Sequence, residues 1–361
     1  MNLGFWKGKR VFITGHTGFK GSWLSLWLQS LGSIISGYAL PPITSPSLFK
    51  VAHVLDGMNS VYGDIRDLEL LKRTIQKSQS EIIFHLAAQP LVLRSYKDPL
   101  ETYSTNLMGT INVFEAVRTS NSIKALINVT SDKCYDNREW IWSYRENDPM
   151  GGFDPYSSSK GCVELITNAY RRSFFIKQGV LLASARAGNV IGGGDWSEDR
   201  LIPDLMRAIK ANERLIIRNP NAIRPWQHVL DPILGYLLLA EKLYNEDQTF
   251  ADGWNFGPED QGNKCVEDVI KQFLIIWHSE EQNKNDQNKI LWEIDRSEKL
   301  HEANYLKLDC SKAKYHLNWK PRWKLNKALK ATSRWYHNYF QSIPMREFCL
   351  KQIEEFQNDY N

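Results

Sequence analysis

Tyr156 and Lys160 stand four residues apart in Tyr156-Ser-Ser-Ser-Lys160, a spacing that puts both on one face of a helix. An ammonium beside a phenol favours the phenolate, which is otherwise scarce at neutral pH because tyrosine titrates near ~10. Such a pair can take a proton from a hydroxyl group. Ser131, Asp132 and Lys133 lie upstream in Thr130-Ser-Asp-Lys-Cys-Tyr135. Ser131 can hydrogen-bond the reacting hydroxyl and the Tyr156 phenol, while Asp132 and Lys133 add an acid and a base within reach of the same substrate. Without the Tyr-Lys pair, the same string would read as a polar loop with an incidental ion pair.

A third pattern, Gly15-His-Thr-Gly18-Phe19-Lys20-Gly21, follows an apolar run and opens an expected helix. Glycines there permit a tight turn and let the backbone approach a pyrophosphate, which then sits on a helix N-terminus. Glycine patterns arise by chance, so the position between strand and helix carries the weight. Asp64 also follows an expected strand, where its carboxylate could reach an adenine amine; a solvated turn aspartate is the equal alternative. A carboxylate is expected about 20 residues beyond the glycines, on the ribose 2′-hydroxyl. The chain has Tyr38-Ala-Leu-Pro-Pro42 there, with neither an acid nor an arginine, so the motif leaves NAD and NADP open.

Positioning these groups requires alternating strands and helices. Residues 9–14, 33–40, 60–62, 81–85, 125–130 and 180–186 are short apolar runs that read as strands. Residues 18–31, 100–119 and 156–177 read as helices, the first with Trp23, Leu24, Trp27, Leu28 and Leu31 at helical spacing. Continuous apolar strands in alternation with helices predict an α/β, doubly wound parallel-sheet Rossmann fold. After Gly192-Gly-Gly194 the alternation breaks. Helices are expected at 201–212 and 232–243, a short strand at 215–217 and a late strand end at 254–257. The expected organisation is a nucleotide-binding domain over 1–190 with a contribution from 229–257. Residues 191–228 and 258–361 then form a smaller, mainly C-terminal substrate-binding lobe. Residues 280–289 read as a surface loop, and 345–361 as a surface helix without functional content.

Composition bounds the function classes. The chain has 361 residues, 42% apolar and 24% charged, enough for a sizeable core. A formal net charge of +4 is mild; it does not suggest nucleic acid and suits an anionic small molecule. The five cysteines are scattered and odd in number, without C-x-x-C spacing, so neither a disulfide framework nor a zinc site is indicated. No apolar run reaches the ~18 residues of a membrane span and no signal peptide precedes the first strand, so the cytoplasm is expected. Most of the 13 tryptophans read as core; Trp226 is set apart for its place near an expected nucleotide site. His16 and His85 belong with the cofactor pocket by position, and no metal is expected.

Residues 15–21, His85-Leu-Ala-Ala88, Ser131 and the Tyr156/Lys160 pair together resemble the extended short-chain dehydrogenase/reductase family over nearly the whole chain. Three local strings are similar, more narrowly, to its nucleotide-sugar 4,6-dehydratase branch and within it to the CDP-glucose enzymes. They are Tyr38-Ala-Leu-Pro-Pro-Ile-Thr-Ser-Pro-Ser-Leu-Phe49, Ser131-Asp-Lys-Cys-Tyr135 and Arg224-Pro-Trp-Gln-His-Val229. The dTDP-glucose enzymes carry Asp-Glu where Asp132-Lys133 stands here, and this departure favours the CDP branch. The 4-epimerases typically lack an acid-base pair at this place.

The resemblance implies NAD as cofactor. It implies cofactor contacts from Gly15, Gly18, Phe19, Lys20 and Gly21, from Asp64 and Ile65, from Leu86, Ala87 and Ala88, and from Asn106, Tyr156 and Lys160. It implies CDP-glucose as substrate, touched by Gln89, Asn189, Arg200, Arg218, Arg224 and Tyr305. The three arginines suit a diphosphate because guanidinium forks match phosphate oxygens, although a lone arginine is more often a solvated surface residue. The implied reaction is oxidation at sugar C4, elimination across C5 and C6, and reduction at C6. Tyr156 takes the C4 hydroxyl proton and Asp132 protonates the leaving C6 hydroxyl. Either Lys133 or Tyr156 removes the C5 proton. A homodimer is also implied. The helix carrying Tyr156 continues through Val163, Ile166, Tyr170 and Phe174, which either meet a partner or are buried within one chain. The competing classes are a 4-epimerase and a cofactor-sensing protein on the same fold. Asp132-Lys133 argues against the first, and Ser131, Tyr156 and Lys160 against the second.

Overall fold

Seven parallel strands form the central sheet of the computed structural model, which describes residues 2–280, 292–295 and 303–359. They are β1 (Arg10–Thr14), β2 (Ile34–Ala39), β3 (Met58–Tyr62), β4 (Ile82–His85), β5 (Ala125–Val129), β6 (Leu181–Ala187) and β7 (Gly253–Phe256). Their order is β7-β6-β5-β4-β1-β2-β3. Successive side chains point to opposite faces, and here both faces are apolar. Val11, Ile13, Ile82, Phe84, Ala125 and Ile127 enter one buried cluster, whereas Phe12, Ile83 and Leu126 enter another. That double burial is why the strands read as unbroken apolar runs, and it bears out the doubly wound Rossmann fold.

Helix α1 (Phe19–Ser30) follows β1 and is buried on nearly all sides. Trp23, Leu24, Trp27 and Leu28 have no exposed surface, and each such side chain contributes about 1.5–3 kcal/mol of burial. Part of that cover comes from the C-terminus. Helix α2 (Met345–Asn358) in the tail does not lie idle on the surface. Cys349, Ile353 and Phe356 are buried, and Phe356 meets Trp27 edge-on at 5.6 Å. Their four- and three-residue spacing is an inward stripe, so the expectation of a bare surface helix is corrected.

The helix expected over 100–119 is helical but widens at Ser104–Met108, where the hydrogen bonding is of π type. The helix that carries Tyr156 widens in the same way at Arg171–Phe175. The late strand end at 254–257 is β7, a full edge strand paired with β6. Beyond the sheet, short pairs take over: Ile223–Pro225 with Asn263–Cys265, and Leu215–Ile217 with Trp292–Ile294. Of the loop expected at 280–289, Glu280 ends the helix Val266–Glu280, and the other residues lie outside the described ones. Strand order reverses between β1 and β4, which opens a crevice at the carboxyl ends of the sheet, the usual ligand position in such folds.

Candidate active site

One cavity of about 1300 Å³ occupies that crevice. Its cofactor end is made from turns. Gly15 closes β1 with φ +76°, and a Cβ there would lie 2.7 Å from the Ala87 nitrogen. A Cβ on Gly21 would lie 2.2 Å from the Gly15 carbonyl oxygen. The chain has therefore given up side-chain volume where backbone must approach a ligand. Gly18 caps the N-terminus of α1 without a side-chain bond, leaving amide groups for an anion. Phe19, Lys20, Asp64, Ile65, Leu86, Ala87 and Ala88 line the same wall. These residues fit a dinucleotide.

Asp64 is not a free turn residue. Its carboxylate takes a fork from Arg66, with Nε 3.0 Å from both oxygens and Nη2 2.5 Å from one. That hydrogen bonding holds its pKa below the usual range. The backbone carbonyl of Asp64 accepts from the Tyr38 hydroxyl at 2.9 Å, so Tyr38 is turned into the core, and the cavity wall at the end of β2 is made by Ala39, Leu40 and Pro41. His16 and His85 sit behind the wall and do not line it. His16 Nε2 meets Ser60 Oγ at 2.7 Å, and burial pulls its pKa down to about 4. His85 lies between Thr14 and Thr110 at 2.7 and 3.0 Å, and burial takes it to about 3. Both rings are neutral struts.

Asn106 is also behind the wall. Its amide exchanges bonds of 2.8 and 3.1 Å with the Gln89 backbone and donates to Ser159 Oγ at 2.9 Å. The π turn of Ser104–Met108 aims it there, consistent with the functional placement of such widenings. Gln89 lines the cavity, but its side-chain amide is spent on Leu91 and Thr102.

The residues expected to be catalytic come together beyond the tips of β5 and β6. Asp154 caps the helix Pro155–Tyr170, accepting from the Ser157 nitrogen at 2.9 Å, and Pro155 fills its first turn. Tyr156 and Lys160 then point into the cavity, with Lys160 Nζ 6.0 Å from the Tyr156 ring centre. Burial pushes the phenol up to about 12, opposed by a hydrogen bond with Ser131 and by the charge of Arg200. Burial pulls Lys160 down to about 8, opposed chiefly by Glu164. Ser131 Oγ donates to Asp132 Oδ1 at 3.1 Å and accepts from the Lys133 nitrogen at 3.2 Å. Asp132 is 3% exposed and its Oδ2 has no hydrogen-bond partner. Burial raises its pKa against the pull of Lys133, Ser131, Arg224 and Lys20. A buried carboxyl held toward its neutral form is a proton donor in waiting.

Of the residues expected to touch substrate, Asn189, Arg200, Arg218 and Arg224 line the cavity, and Trp226 lines it with them. Arg200 is held by Asp195 at 2.8 Å and Arg218 by Asp199 at 2.8 Å. Residues 192–195 are buried. Gly193 accepts from Trp23 Nε1 at 3.0 Å, and a Cβ on it would strike Trp335. Tyr305 is not brought into the cavity wall; its carbonyl accepts from Asn137 at 3.0 Å and its ring lies under Lys307. Sequence reasoning missed Gly188, whose absent side chain leaves room for Asp132 Oδ2. It also missed Asp195 and Glu164, although Glu164 continues the four-residue step from Tyr156 to Lys160. Among the described residues, no group of three or more His, Cys, Asp or Glu could hold a metal ion. All five cysteines are free.

A family described as GDP-mannose 4,6 dehydratase matches residues 12–332. The chain belongs to this family. Among curated relatives, a CDP-glucose 4,6-dehydratase of Salmonella typhimurium is 52% identical over 98% of this chain and 97% of that protein. A dTDP-glucose 4,6-dehydratase of Xanthomonas campestris is 25% identical over 94% and 97%. Two solved structures show how widely the family's fold is shared. A dTDP-glucose 4,6-dehydratase from Bacillus anthracis, in complex with NAD, superposes with TM-score 0.75 at 21% identity, covering 93% of this chain and 99% of its own. A UDP-glucose 4-epimerase from Thermotoga maritima reaches 0.77 at 21%, covering 91% and 99%. Fold alone does not separate dehydratase from epimerase; the 52% identity to a 4,6-dehydratase over nearly the whole chain does.

Proposed function

We propose that this chain is an NAD-dependent 4,6-dehydratase that converts CDP-glucose to CDP-4-keto-6-deoxyglucose and water. The observation that carries the reading is Asp132: a buried carboxyl with one unpartnered oxygen, biased toward its protonated form, beside Ser131 and Tyr156. Epimerisation at C4 has no use for such a donor, whereas loss of the C6 hydroxyl does. The 52% identity to a CDP-glucose enzyme over 98% of the chain supports the choice of nucleotide.

The dinucleotide, when bound, supplies the acceptor that takes hydride from C4 and gives it back at C6. The chain does the rest. Tyr156 takes the proton of the C4 hydroxyl, and Ser131 shares the hydrogen bond that places that hydroxyl. Lys160 and Arg200 supply positive charge that favours the phenolate. Asp132 protonates the departing C6 hydroxyl, which leaves as water; the C5 proton passes to Lys133 or Tyr156 and returns to C5 as C6 is reduced. Arg200, Arg218 and Arg224 hold the diphosphate, with Trp226 packed beside it.

The reading extends to a homodimer. Val163, Ile166 and Tyr170 are taken up within the chain, but the adjoining surface shows Leu100, Met108 and Leu165 at 82%, 50% and 61% exposure. No helix among the described residues is long and apolar enough to cross a membrane, and the free thiols suit the cytoplasm.

Incubation with CDP-, dTDP-, UDP- and GDP-glucose, followed by the alkaline absorbance of 4-keto products, tests the reading. Product from CDP-glucose alone is expected. A galactose epimer in its place, or equal turnover of all four sugars, overturns it.

A further inference from the structure

One buried polar network lies beneath the catalytic groups and no step of the mechanism uses it. Glu164 is its hub, one helical turn beyond Lys160. Its Oε1 accepts from Thr130 Oγ1 at 2.5 Å, and its Oε2 accepts from Ser184 Oγ and Arg186 Nη2, both at 2.7 Å. Arg186 goes on to donate to Tyr135 Oη at 2.8 Å, and Tyr135 donates to Asn255 at 2.7 Å. Thr130 and Tyr135 bracket Ser131-Asp132-Lys133. The network therefore grips the catalytic turn at both ends and ties it to the helix that carries Tyr156 and Lys160. Glu164 and Arg186 are 5% and 4% exposed. A buried ion pair is a weak source of stability, because desolvation cancels much of the attraction, so its presence asks for another reason.

We propose that Glu164 is a positioning residue for the dehydration, which keeps the neighbouring Lys160 cationic and fixes the turn of Ser131 and Asp132 against Tyr156. The claim rests on the dehydratase reading for its assay. The charged and titratable groups that face Lys160 are few. Glu164 and Tyr156 come from its own helix, the Cys134 thiol from the turn after β5, His85 from β4 and Lys20 from α1. His85 is neutral and Lys20 is a like charge, which leaves Glu164 as the carboxylate in the set, its charge shared with Arg186 at 2.7 Å. Burial already lowers Lys160 to about 8. Loss of the Glu164 charge lowers it further, so the ammonium is lost at a lower pH and support for the phenolate goes with it.

The test is the pH dependence of nicotinamide reduction in the NAD-loaded enzyme on mixing with CDP-glucose. Glu164→Gln keeps the shape and removes the charge. Its alkaline limb is expected about one unit lower than wild type, with KM within about twofold. Glu164→Asp, which keeps a charge, is expected to retain the wild-type limb even where kcat falls. Because Glu164→Gln strands Arg186, the double variant with Arg186→Met is made in parallel; it also removes a positive charge 2.7 Å from the carboxylate, so its limb is expected to move in the same direction but by less than in Glu164→Gln. An unshifted limb, a loss equal at every pH, or failure of both charge-free variants to fold overturns the proposal. The wild-type arm separates this from the function itself. If wild type does not act on CDP-glucose, the same comparison is read from the pH dependence of NAD affinity, which needs no substrate.

Discussion

The two ends of the cavity solve recognition by different means. At the cofactor end the wall is backbone, glycine and small apolar residues. The ionisable groups nearby are neutral struts, as His16 and His85 are, a half-exposed pair, as Asp64 and Arg66 are, and Lys20, which burial lowers to about 8. At the catalytic end the wall is ionisable, and Asp132, Tyr156, Lys160 and Glu164 are all buried. One end recognises by shape and fixed dipoles. The other works by withholding water from charges so that small changes in surroundings move protons. Substitutions should fail for steric reasons at the first and electrostatic reasons at the second.

The largest effect is expected at the catalytic end. Asp132→Asn preserves volume, and Oδ2 makes no hydrogen bond that an amide would lose. It removes the proton donor, and general acids contribute about 10²–10⁴-fold. Keto-sugar formation should fall by that factor, while nicotinamide reduction on mixing with CDP-glucose persists, because C4 oxidation does not use Asp132. Thermal stability should hold, since the amide oxygen can still accept from Ser131 and Oδ2 has no hydrogen bond to lose. Equal loss of oxidation and elimination, seen by rapid-mixing absorbance and product analysis, would erase the distinction drawn between the two steps.

The same contrast explains what the sequence could say. Gly15, Gly18 and Gly21 form a local motif, and local turn geometry is written in a few adjacent residues. Tyr156 and Lys160 were legible because helical period alone puts them together. Glu164 sits at the next step of that ladder, yet its partners Thr130, Ser184 and Arg186 arrive from β5 and β6, and one sequence does not pair strands residue by residue. Asp64 was legible as a position, but its bond to Arg66 was not. Tyr305 was expected in the cavity on the strength of a weak local match; its backbone instead pairs beside Ile223. The tail helix was misjudged because its inward stripe is thin and its partner, Trp27, lies far away in the chain.

A steric failure of intermediate size should follow at the cofactor end. In Gly21→Ala the new methyl would lie 2.2 Å from the Gly15 carbonyl oxygen, and backbone cannot swing aside as a flexible side chain can. Overpacking of this kind costs about 1–3 kcal/mol, and the displaced turn is the one that must approach the pyrophosphate. NAD affinity measured by calorimetry should drop at least about tenfold, the equivalent of about 1.4 kcal/mol. The loss should persist both below and above about pH 8, where burial places the neighbouring Lys20, because the clash is between a methyl and backbone and not between charges. A pH-dependent loss would mean that the glycine turn acts through a charge and would collapse the contrast between the two ends.

The smallest effect is expected where the cofactor end does use charge. Arg66 is 44% exposed in its side chain and Asp64 27%, so their pairing is solvent-screened despite its forked geometry. Exposed ion pairs contribute ~0–1 kcal/mol. Arg66→Ala should therefore change the melting temperature little and NAD affinity by no more than about threefold. Asp64 keeps its place without Arg66, because its backbone carbonyl is fixed by the Tyr38 hydroxyl. The freed carboxylate can then turn to an adenine amine, which would offset part of the loss. A larger drop, read by fluorescence titration at low and moderate salt, would show that Arg66 itself contacts the dinucleotide. Salt sensitivity would then be strong, because the contact would join a guanidinium to a phosphate and not to a neutral base.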